Sequence, residues 1–371
     1  MPYGTIIEVY IAIAFLRGCI PIEQHLPISQ LLLTWYDMHK RSLPWRDIND
    51  PYAIWVSEIM LQQTRVETVL TYYPRFMSLF PTVQALAAAP EQDVLKVWEG
   101  LGYYSRAKNL QKAAKQITES FGGQLPPTVS ELLRLSGIGP YTAGAIASIA
   151  YSEKTPAVDG NVMRVISRLR GIREDITIPS VSRLIYEEAA SMVPDRRPGD
   201  FNQALMDLGA TVCIPGTPVC EKCPLSGFCD AYQAGDADLL PIKIKASAPK
   251  QIEMGVGLIT FDNMVLVQQR QEKLLGGLWV FVLLEDSISS KIMKNHLRSL
   301  GLNANYQGDL GEAKHVFTHR VWKMHMMHFS ADCAEPVKDG RWITLDELNV
   351  LPFPTAMKTA KKAAELLLRT H

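Results

Sequence analysis

The chain has 371 residues, 47% hydrophobic and 20% charged, a composition that excludes a disordered protein and allows two domains with separate cores. Lys and Arg number 38, as do Asp and Glu, so net charge gives no sign of the basic surface that often marks nucleic-acid-binding proteins. No apolar stretch is long enough to span a bilayer, and we expect no membrane partner.

The N-terminal residues 1–28 contain a short apolar run that superficially looks like a signal peptide. Glu8 and Arg17 bracket this run, and no small-residue cleavage site follows it. We therefore interpret residues 1–28 as an N-terminal extension.

Residues 29–232 have mostly helical apolar spacing and predict an all-α domain. Asp50 and Pro51 supply an N-cap and a first-turn proline for a helix that we expect to continue through Tyr72. Proline and glycine then separate several shorter helices, at Pro81, Pro90, Gly100, Gly102, Gly122, Gly123, Pro126 and Pro127.

Residues 233–250 are rich in Asp, Ala, Lys and Pro, show little periodicity, and predict a linker. Beyond it, strand-like runs from Met254 to Thr260 and from Met264 to Gln269 flank the dipeptide 262–263, Asp-Asn, which predicts a β-hairpin.

The rest of the C-terminal region mixes the two periodicities. Alternation over residues 315–329 predicts a strand, whereas helical spacing predicts helices over 292–300 and 356–368. Residues 251–371 therefore form a second domain that we predict to be α+β.

Four of the six cysteines fall within residues 213–229, in the pattern Cys-x6-Cys-x2-Cys-x5-Cys: Cys213, Cys220, Cys223 and Cys229. Four thiolates in one short loop suit an iron-sulfur cluster or zinc. Because the two Cys-x2-Cys pairs of a zinc ribbon are not found in this loop, we predict a [4Fe-4S] cluster, with zinc as the alternative. Its default role is to hold the loop.

Residues 133–143 predict a helix, a tight turn and a second helix. Gly137 and Gly139 permit positive φ and close backbone approach, and Pro140 begins the second helix. The amides at that helix start would bind a phosphate without any net positive charge. The same pattern also occurs in ordinary helix connections.

Glu58 lies in an unusually apolar segment for a carboxylate. Ile54, Trp55 and Leu61 are three or four positions away and share its helix face. If that face is inward, burial raises the pKa of Glu58 and makes it a candidate general acid. The alternative is a surface glutamate paired with a distant arginine.

Asp159 precedes a predicted helix from Val162 to Leu169, where the helix dipole and backbone amides would favour its ionised form. The alternative is a turn residue, with Asn161 as the N-cap. Together, Glu58 and Asp159 would provide two carboxyl groups in opposite protonation states, as the cleavage of a glycosidic bond requires.

These segments, with the four cysteines, resemble the helix-hairpin-helix glycosylases of the endonuclease III superfamily, and within it the MutY family of adenine DNA glycosylases. The matching motifs are Leu43-Pro44-Trp45-Arg46, the run from Trp55 to Val66, Gly100-Leu101-Gly102-Tyr103-Tyr104-Ser105-Arg106, and the run from Pro156 to Val162.

The resemblance implies removal of adenine paired with 8-oxoguanine or guanine in double-stranded DNA, by a monomer in the bacterial cytoplasm, near the nucleoid. It implies catalytic roles for Glu58, Asp159, Tyr141 and Asn161. It further implies base or DNA contacts from Trp45, Arg46, Leu61, Gln63, Thr64, Leu101, Tyr103, Gly137, Gly139 and Gln203.

Tyr141 distinguishes two activities within this superfamily. Bifunctional relatives that act on damaged pyrimidines carry lysine at this position, and lysine can form a Schiff base with the sugar. The resemblance therefore implies a monofunctional enzyme, with the bifunctional glycosylase-lyase as the alternative.

The C-terminal region resembles the Nudix-like domain with which this family reads 8-oxoguanine. Phe317, Thr318 and His319 stand where the family usually has Phe-Ser-His, and Ser136, Val280 and Val282 also depart from its pattern. No acidic metal box follows Gly276-Gly277, which argues against a Nudix-type nucleotide hydrolase. A non-catalytic iron-sulfur DNA-binding protein is the remaining alternative, and the histidines of residues 315–328 more often indicate packing than metal.

Overall fold

The computed structural model describes residues 27–244 and 248–369. The predicted N-terminal extension therefore lies almost entirely outside the described residues. By its internal contacts the chain divides into two compact units that do not follow chain order: residues up to 59 together with 124–245, and residues 60–123 together with 246–371. The predicted domain boundaries remain a prediction.

Short helices separated by glycine and proline occupy much of residues 28–234, as predicted. In chain order they are α1 (Ile28–His39), α2 (Pro51–Leu61), α3 (Val66–Leu79), α4 (Val83–Ala88), α5 (Glu91–Val97), α6 (Ser105–Ser120), α7 (Val129–Leu132), α8 (Pro140–Tyr151), α9 (Gly160–Leu169), α10 (Pro179–Met192), α11 (Pro198–Thr211) and α12 (Asp230–Ala234).

The helix predicted to run from Pro51 through Tyr72 is two helices, so that expectation is wrong. Gln63 adopts the left-handed conformation with φ of 56°, which ends α2 and lets α3 begin at Val66. The carbonyl groups of Met60 and Gln62 accept hydrogen bonds from the buried Arg106 guanidinium, at 2.8 and 2.5 Å. Arg106 thus donates to carbonyl groups that would accept hydrogen bonds from backbone amides if the helix continued.

The core of the first unit forms where α9 and α11 pack against α1. Phe201, Leu205 and Ile166 are at most 1% exposed there. Close backbone approach brings α8 to its neighbours: a Cβ on Gly144 would lie 2.3 Å from the Pro156 carbonyl oxygen. The segment that leads to Asp159 is therefore packed directly on α8.

A seven-stranded sheet forms the C-terminal part of the second unit. Its strands are β1 (Lys250–Phe261), β2 (Met264–Gln269), β3 (Trp279–Val280), β4 (Val282–Glu285), β5 (Ala304–Val316), β6 (Arg320–Ala331) and β7 (Gly340–Ile343). The order β3-β2-β1-β6-β5 has β4 beside β1 and β7 beside β2, and only β1 and β6 pair in parallel. Three helices accompany it: α13 (Ser290–Ser299), α14 (Leu345–Val350) and α15 (Lys358–Arg369).

The sheet lies between two helices, and its two faces form separate cores. Met357, just before α15, and Ala364 of α15 pack on one face, whereas Met293 and Leu297 of α13 pack on the other. The predicted hairpin between β1 and β2 is confirmed, with Phe261 opposite Met264. The α+β prediction is confirmed with it.

The single strand predicted over residues 315–329 is instead a hairpin of β5 and β6. The turn comprises residues 317–319 and is closed by the bond from the Phe317 amide to the Arg320 carbonyl, at 2.8 Å. Apolar residues alternate on both sides of the turn because each strand places every second side chain on the same face of the sheet. None of the helices in the described ranges has the length and apolar character needed to cross a lipid bilayer.

We predict that Gly144→Ala lowers the free energy of unfolding by roughly 1–3 kcal/mol, because the new methyl group must displace the backbone near Pro156. Urea unfolding measures the change. Gly227→Ala is the matched control, since a Cβ there meets nothing within 4 Å. Equal stability of the two variants would contradict the packing described for α8.

Candidate active site

Glu58 is buried on α2, with only 6% of its surface exposed, among side chains such as Trp55 and Ile54. The Tyr141 hydroxyl donates a hydrogen bond to Glu58 Oε2 at 2.5 Å. Burial raises the pKa of Glu58 to about 7, and the charge of Asp159 adds to this, while Tyr141 and Arg46 oppose it. The predicted inward face is confirmed, and the surface alternative is wrong.

Asp159 is itself the N-cap of α9. Its Oδ1 accepts from the Val162 amide at 2.7 Å and its Oδ2 accepts from Asn161 Nδ2 at 2.9 Å. The alternative that made Asn161 the N-cap is therefore wrong, because Asn161 lies in the first turn.

The expected direction of the Asp159 pKa is also wrong. Burial raises this pKa and outweighs the hydrogen bonds from Val162 and Asn161, which lower it. Both carboxyl groups are thus harder to ionise than in water. They still differ, because two donors stabilise the Asp159 carboxylate whereas one donor, Tyr141, reaches Glu58.

Tyr141 stands in the first turn of α8, immediately after Pro140. Its hydroxyl bonds to Glu58 and not to Asp159, and it lies 3.7 Å from Met206 Sδ. Burial and the two nearby carboxylates raise the pKa of this phenol strongly. Tyr141 therefore acts as a neutral donor to Glu58.

The turn before α8 only partly follows the prediction. Gly137 has a φ of 77° and requires glycine, but Gly139 has a φ of −98° and ψ of 179°, which any residue can adopt. Pro140 starts α8 as predicted. Because a Cβ on Gly139 meets nothing within 4 Å, the backbone here is open to a ligand.

Trp45, Arg46 and Gln203 all lie in the first unit with Glu58. Trp45 is 6% exposed, and Gln203 is half-buried on α11. The Arg46 guanidinium lies over the Tyr36 ring, 5.4 Å from its centroid, and both its Nη atoms bond to Asp207. Sequence reasoning missed Asp207, although a carboxylate in an apolar helix was a usable signal.

The four cysteines border one small apolar cavity of about 30 Å³, together with residues of α9 and α11. Arg168 Nη1 donates to Cys213 Sγ, and Cys229 Sγ donates to the Arg168 carbonyl, both at 3.3 Å. Among the described residues, no group of three or more His, Cys, Asp or Glu side chains is placed to hold a metal ion.

Arg164, one turn before Arg168, connects the cysteine loop to the Asp159 region. It donates to the Cys213 carbonyl at 2.8 Å and to Asn161 Oδ1 at 2.9 Å. Asn161 in turn donates to Asp159. A chain of hydrogen bonds therefore joins the backbone of the loop to one of the two carboxyl groups.

A second cluster of predicted residues lies in the second unit and is organised by Arg106. Besides the carbonyls of Met60 and Gln62, Arg106 bonds to Thr64 Oγ1 at 3.1 Å and to the Leu101 carbonyl at 3.3 Å. The predicted contact residues Leu61, Gln63, Thr64, Leu101 and Tyr103 thus lie on two segments that one buried cation joins.

Tyr103 also contacts the hairpin turn of residues 317–319, which belongs to the same unit. Its hydroxyl lies 3.3 Å from Thr318 Oγ1. Phe317 is held at the edge of Trp322, with ring centroids 4.9 Å apart, and His315 packs on Phe317 at 4.5 Å. A cavity of about 730 Å³, large enough for a nucleotide, is lined by Tyr103, His315, Phe317, Thr318 and His319 among others.

Val280 and Val282, which depart from the family pattern, and two histidines of β6 have structural explanations. Val280 and Val282 are core residues of β3 and β4, at most 3% exposed. His328 hydrogen-bonds to Thr260, and His325 pairs with Asp309. These two histidines thus make the cross-strand contacts that the sequence favoured over metal.

Two family models match the chain. The model of the HhH-GPD superfamily of base excision DNA repair proteins covers residues 56–189, and the NUDIX domain model covers residues 255–363. The solved structure of a thermostable thymine-DNA glycosylase aligns with 56% of this chain and 95% of its own, at 31% identity and a TM-score of 0.51.

Curated relatives match over most of the chain. The adenine DNA glycosylase of Mus musculus is 39% identical over 391 residues, covering 88% of this chain and 76% of the mouse protein. That of Buchnera aphidicola subsp. Schizaphis graminum is 32% identical over 345 residues, covering 91% of this chain and 98% of the relative. The chain therefore belongs to the adenine DNA glycosylase family.

Proposed function

We propose that this adenine DNA glycosylase acts on adenine paired with 8-oxoguanine or guanine in double-stranded DNA, and that it is monofunctional. The observation that carries the chemistry is the buried Glu58 carboxyl, whose pKa near 7 leaves a proton to donate close to neutrality. The neighbouring Asp159 supplies the second carboxyl group that cleavage of a glycosidic bond requires.

In the proposed reaction, the flipped-out adenine accepts the Glu58 proton at N7. The bond between N9 and C1′ then breaks, its electron pair stays with the base, and adenine leaves neutral. The deoxyribose becomes an oxocarbenium ion, which the Asp159 carboxylate stabilises. Water adds at C1′ and releases one proton, so the charges balance.

Tyr141 supports the monofunctional assignment. A Schiff base with the sugar requires a lysine amine, and the side chain at this position is a phenol that donates to Glu58. Trp45, Arg46 and Gln203 lie in the same unit and would contact the extruded base. The open amides at the start of α8, with Gly137 and Gly139, would bind a DNA phosphate.

The cavity of the second unit supports a role in reading the opposite base. Thr318 presents a hydroxyl beside Tyr103, and Phe317 and His319 complete the turn. Arg106 joins two segments whose side chains would fill the gap left by the flipped adenine. These side chains are Leu61, Gln63, Thr64 and Leu101.

We further propose that the cysteine loop holds a [4Fe-4S] cluster. The support is the shared cavity that Cys213, Cys220, Cys223 and Cys229 border, with the Arg168 cation beside it to offset thiolate charge. Bound there, the cluster would hold the loop whose backbone Arg164 ties to Asn161.

We expect Glu58→Gln to bind duplex DNA with adenine opposite 8-oxoguanine but to release adenine about 10²–10⁴-fold more slowly, because an amide cannot donate the proton. Single-turnover base release and a gel-shift assay measure the two steps. Glu119→Gln, at an exposed glutamate, is the control. Base release by Glu58→Gln at the control rate would eliminate the mechanism.

Cys223→Ser is expected to lose iron and the visible absorbance of the purified protein, because one cluster ligand is removed. Cys333→Ser is the matched control, since Cys333 is exposed and outside the loop. Iron analysis and the absorbance spectrum decide the result. Full iron content in Cys223→Ser would exclude the proposed ligand set.

Thr318→Val should reduce the preference for adenine opposite 8-oxoguanine over adenine opposite guanine by roughly 2- to 10-fold, the effect of one lost hydrogen bond. Valine keeps the shape and removes the hydroxyl, whereas the control Thr318→Ser retains it. The ratio of base-release rates on the two duplexes is measured. An unchanged ratio in Thr318→Val would count against the reading role.

A further inference from the structure

Asp207 on α11 has a fully buried carboxylate that pairs with two arginines. Arg41 donates to it from Nε at 2.8 Å, from Nη2 at 2.6 Å and from its backbone amide at 3.2 Å. Arg46 donates to both of its oxygens. The side chain of Asp207 is 0% exposed, so this pairing is shielded from water.

Burying a carboxylate with two arginines is costly, and hydrogen bonds to both carboxylate oxygens offset that cost here. Asp207 holds the Arg46 guanidinium from one side while the Tyr36 ring lies against it from another. Arg46 is thereby restricted to one orientation, in the same unit as Glu58.

Arg46 also carries a positive charge that acts on Glu58, where it favours the ionised carboxylate. The charged and titratable groups around Glu58 are Tyr141 from α8, Asp159 from the start of α9, and Arg46 from the segment between α1 and α2. A cation near a carboxyl group favours its ionised form, which is the wrong form for a proton donor. A partner that offsets the Arg46 charge therefore favours the protonated form of Glu58.

We propose that Asp207 is a positioning residue that orients Arg46 and offsets its charge, so that Glu58 retains its proton for the reaction. This inference rests on the proposed function, in which Glu58 is the general acid. The Asp207 carboxylate bonds to Arg41 and Arg46, and it acts on Glu58 through Arg46.

The test is the pH dependence of single-turnover adenine release. Because the pKa of Glu58 is raised to about 7 and the proposed reaction also needs an ionised Asp159, the wild-type rate has an optimum, and on its alkaline side the rate falls as pH rises through about 7. In Asp207→Asn the unopposed Arg46 charge favours ionised Glu58. We expect the fall in rate to move to lower pH by about one pH unit, since a nearby unpaired cation lowers a carboxyl pKa by roughly 1–3 units.

Arg46→Gln removes the cation and should move the fall in rate to higher pH, which tests the same coupling if Asp207→Asn does not fold. If Asp207 acts through Arg46, adding Asp207→Asn to Arg46→Gln should leave the midpoint where Arg46→Gln alone places it. Asp175→Asn is the matched control, since Asp175 is a largely buried carboxylate that instead bonds to Thr177.

An unchanged midpoint in Asp207→Asn, with a lower rate at every pH, would overturn the proposal and leave Asp207 a structural residue. An unchanged midpoint in Arg46→Gln would overturn it as well. Failure of the proposed function has a different signature, namely normal base release by Glu58→Gln, so the two failures are distinguishable.

Discussion

The burial of one carboxyl group, that of Glu58, is the constraint on which the site depends. The apolar flanks of α2 remove water from it, Tyr141 supplies its one strong hydrogen bond, and the negative charge of Asp159 opposes its ionisation. In water the same glutamate would be fully ionised at neutral pH. The raised pKa of Glu58, on which its proposed role as proton donor depends, therefore follows from the burial of α2.

In the first unit, buried charges are compensated by specific partners, which the net charge of the chain does not reveal. Each buried ion has a specific partner: Asp207 has Arg41 and Arg46, while the carboxylate of Asp159 accepts from an amide and from Asn161. A chain with no net charge can thus bury the two carboxyl groups that we propose as general acid and stabilising anion. The proposed base release therefore does not depend on a large net positive charge of the chain.

Local features were predictable from the sequence, whereas long-range pairing was not. The apolar neighbours of Glu58 and the alternation around residues 262–263 each act within one element, and both were anticipated correctly. Asp207 was missed because its partner Arg46 is 161 residues away. The break at Gln63 was missed because Arg106, not a glycine or proline, stabilises it. The Asp159 pKa was misjudged because burial, a tertiary effect, outweighs its local cap.

Arg106 has a mechanical consequence. Its single guanidinium takes oxygens from the end of α2 and from the loop before α6, so neither segment can shift without breaking bonds to the other. Lysine could not imitate this, because three donors on one nitrogen cannot reach oxygens spread around a planar fork. The end of α2 and the loop before α6 are therefore fixed relative to each other, so a displacement of one segment is transmitted to the other.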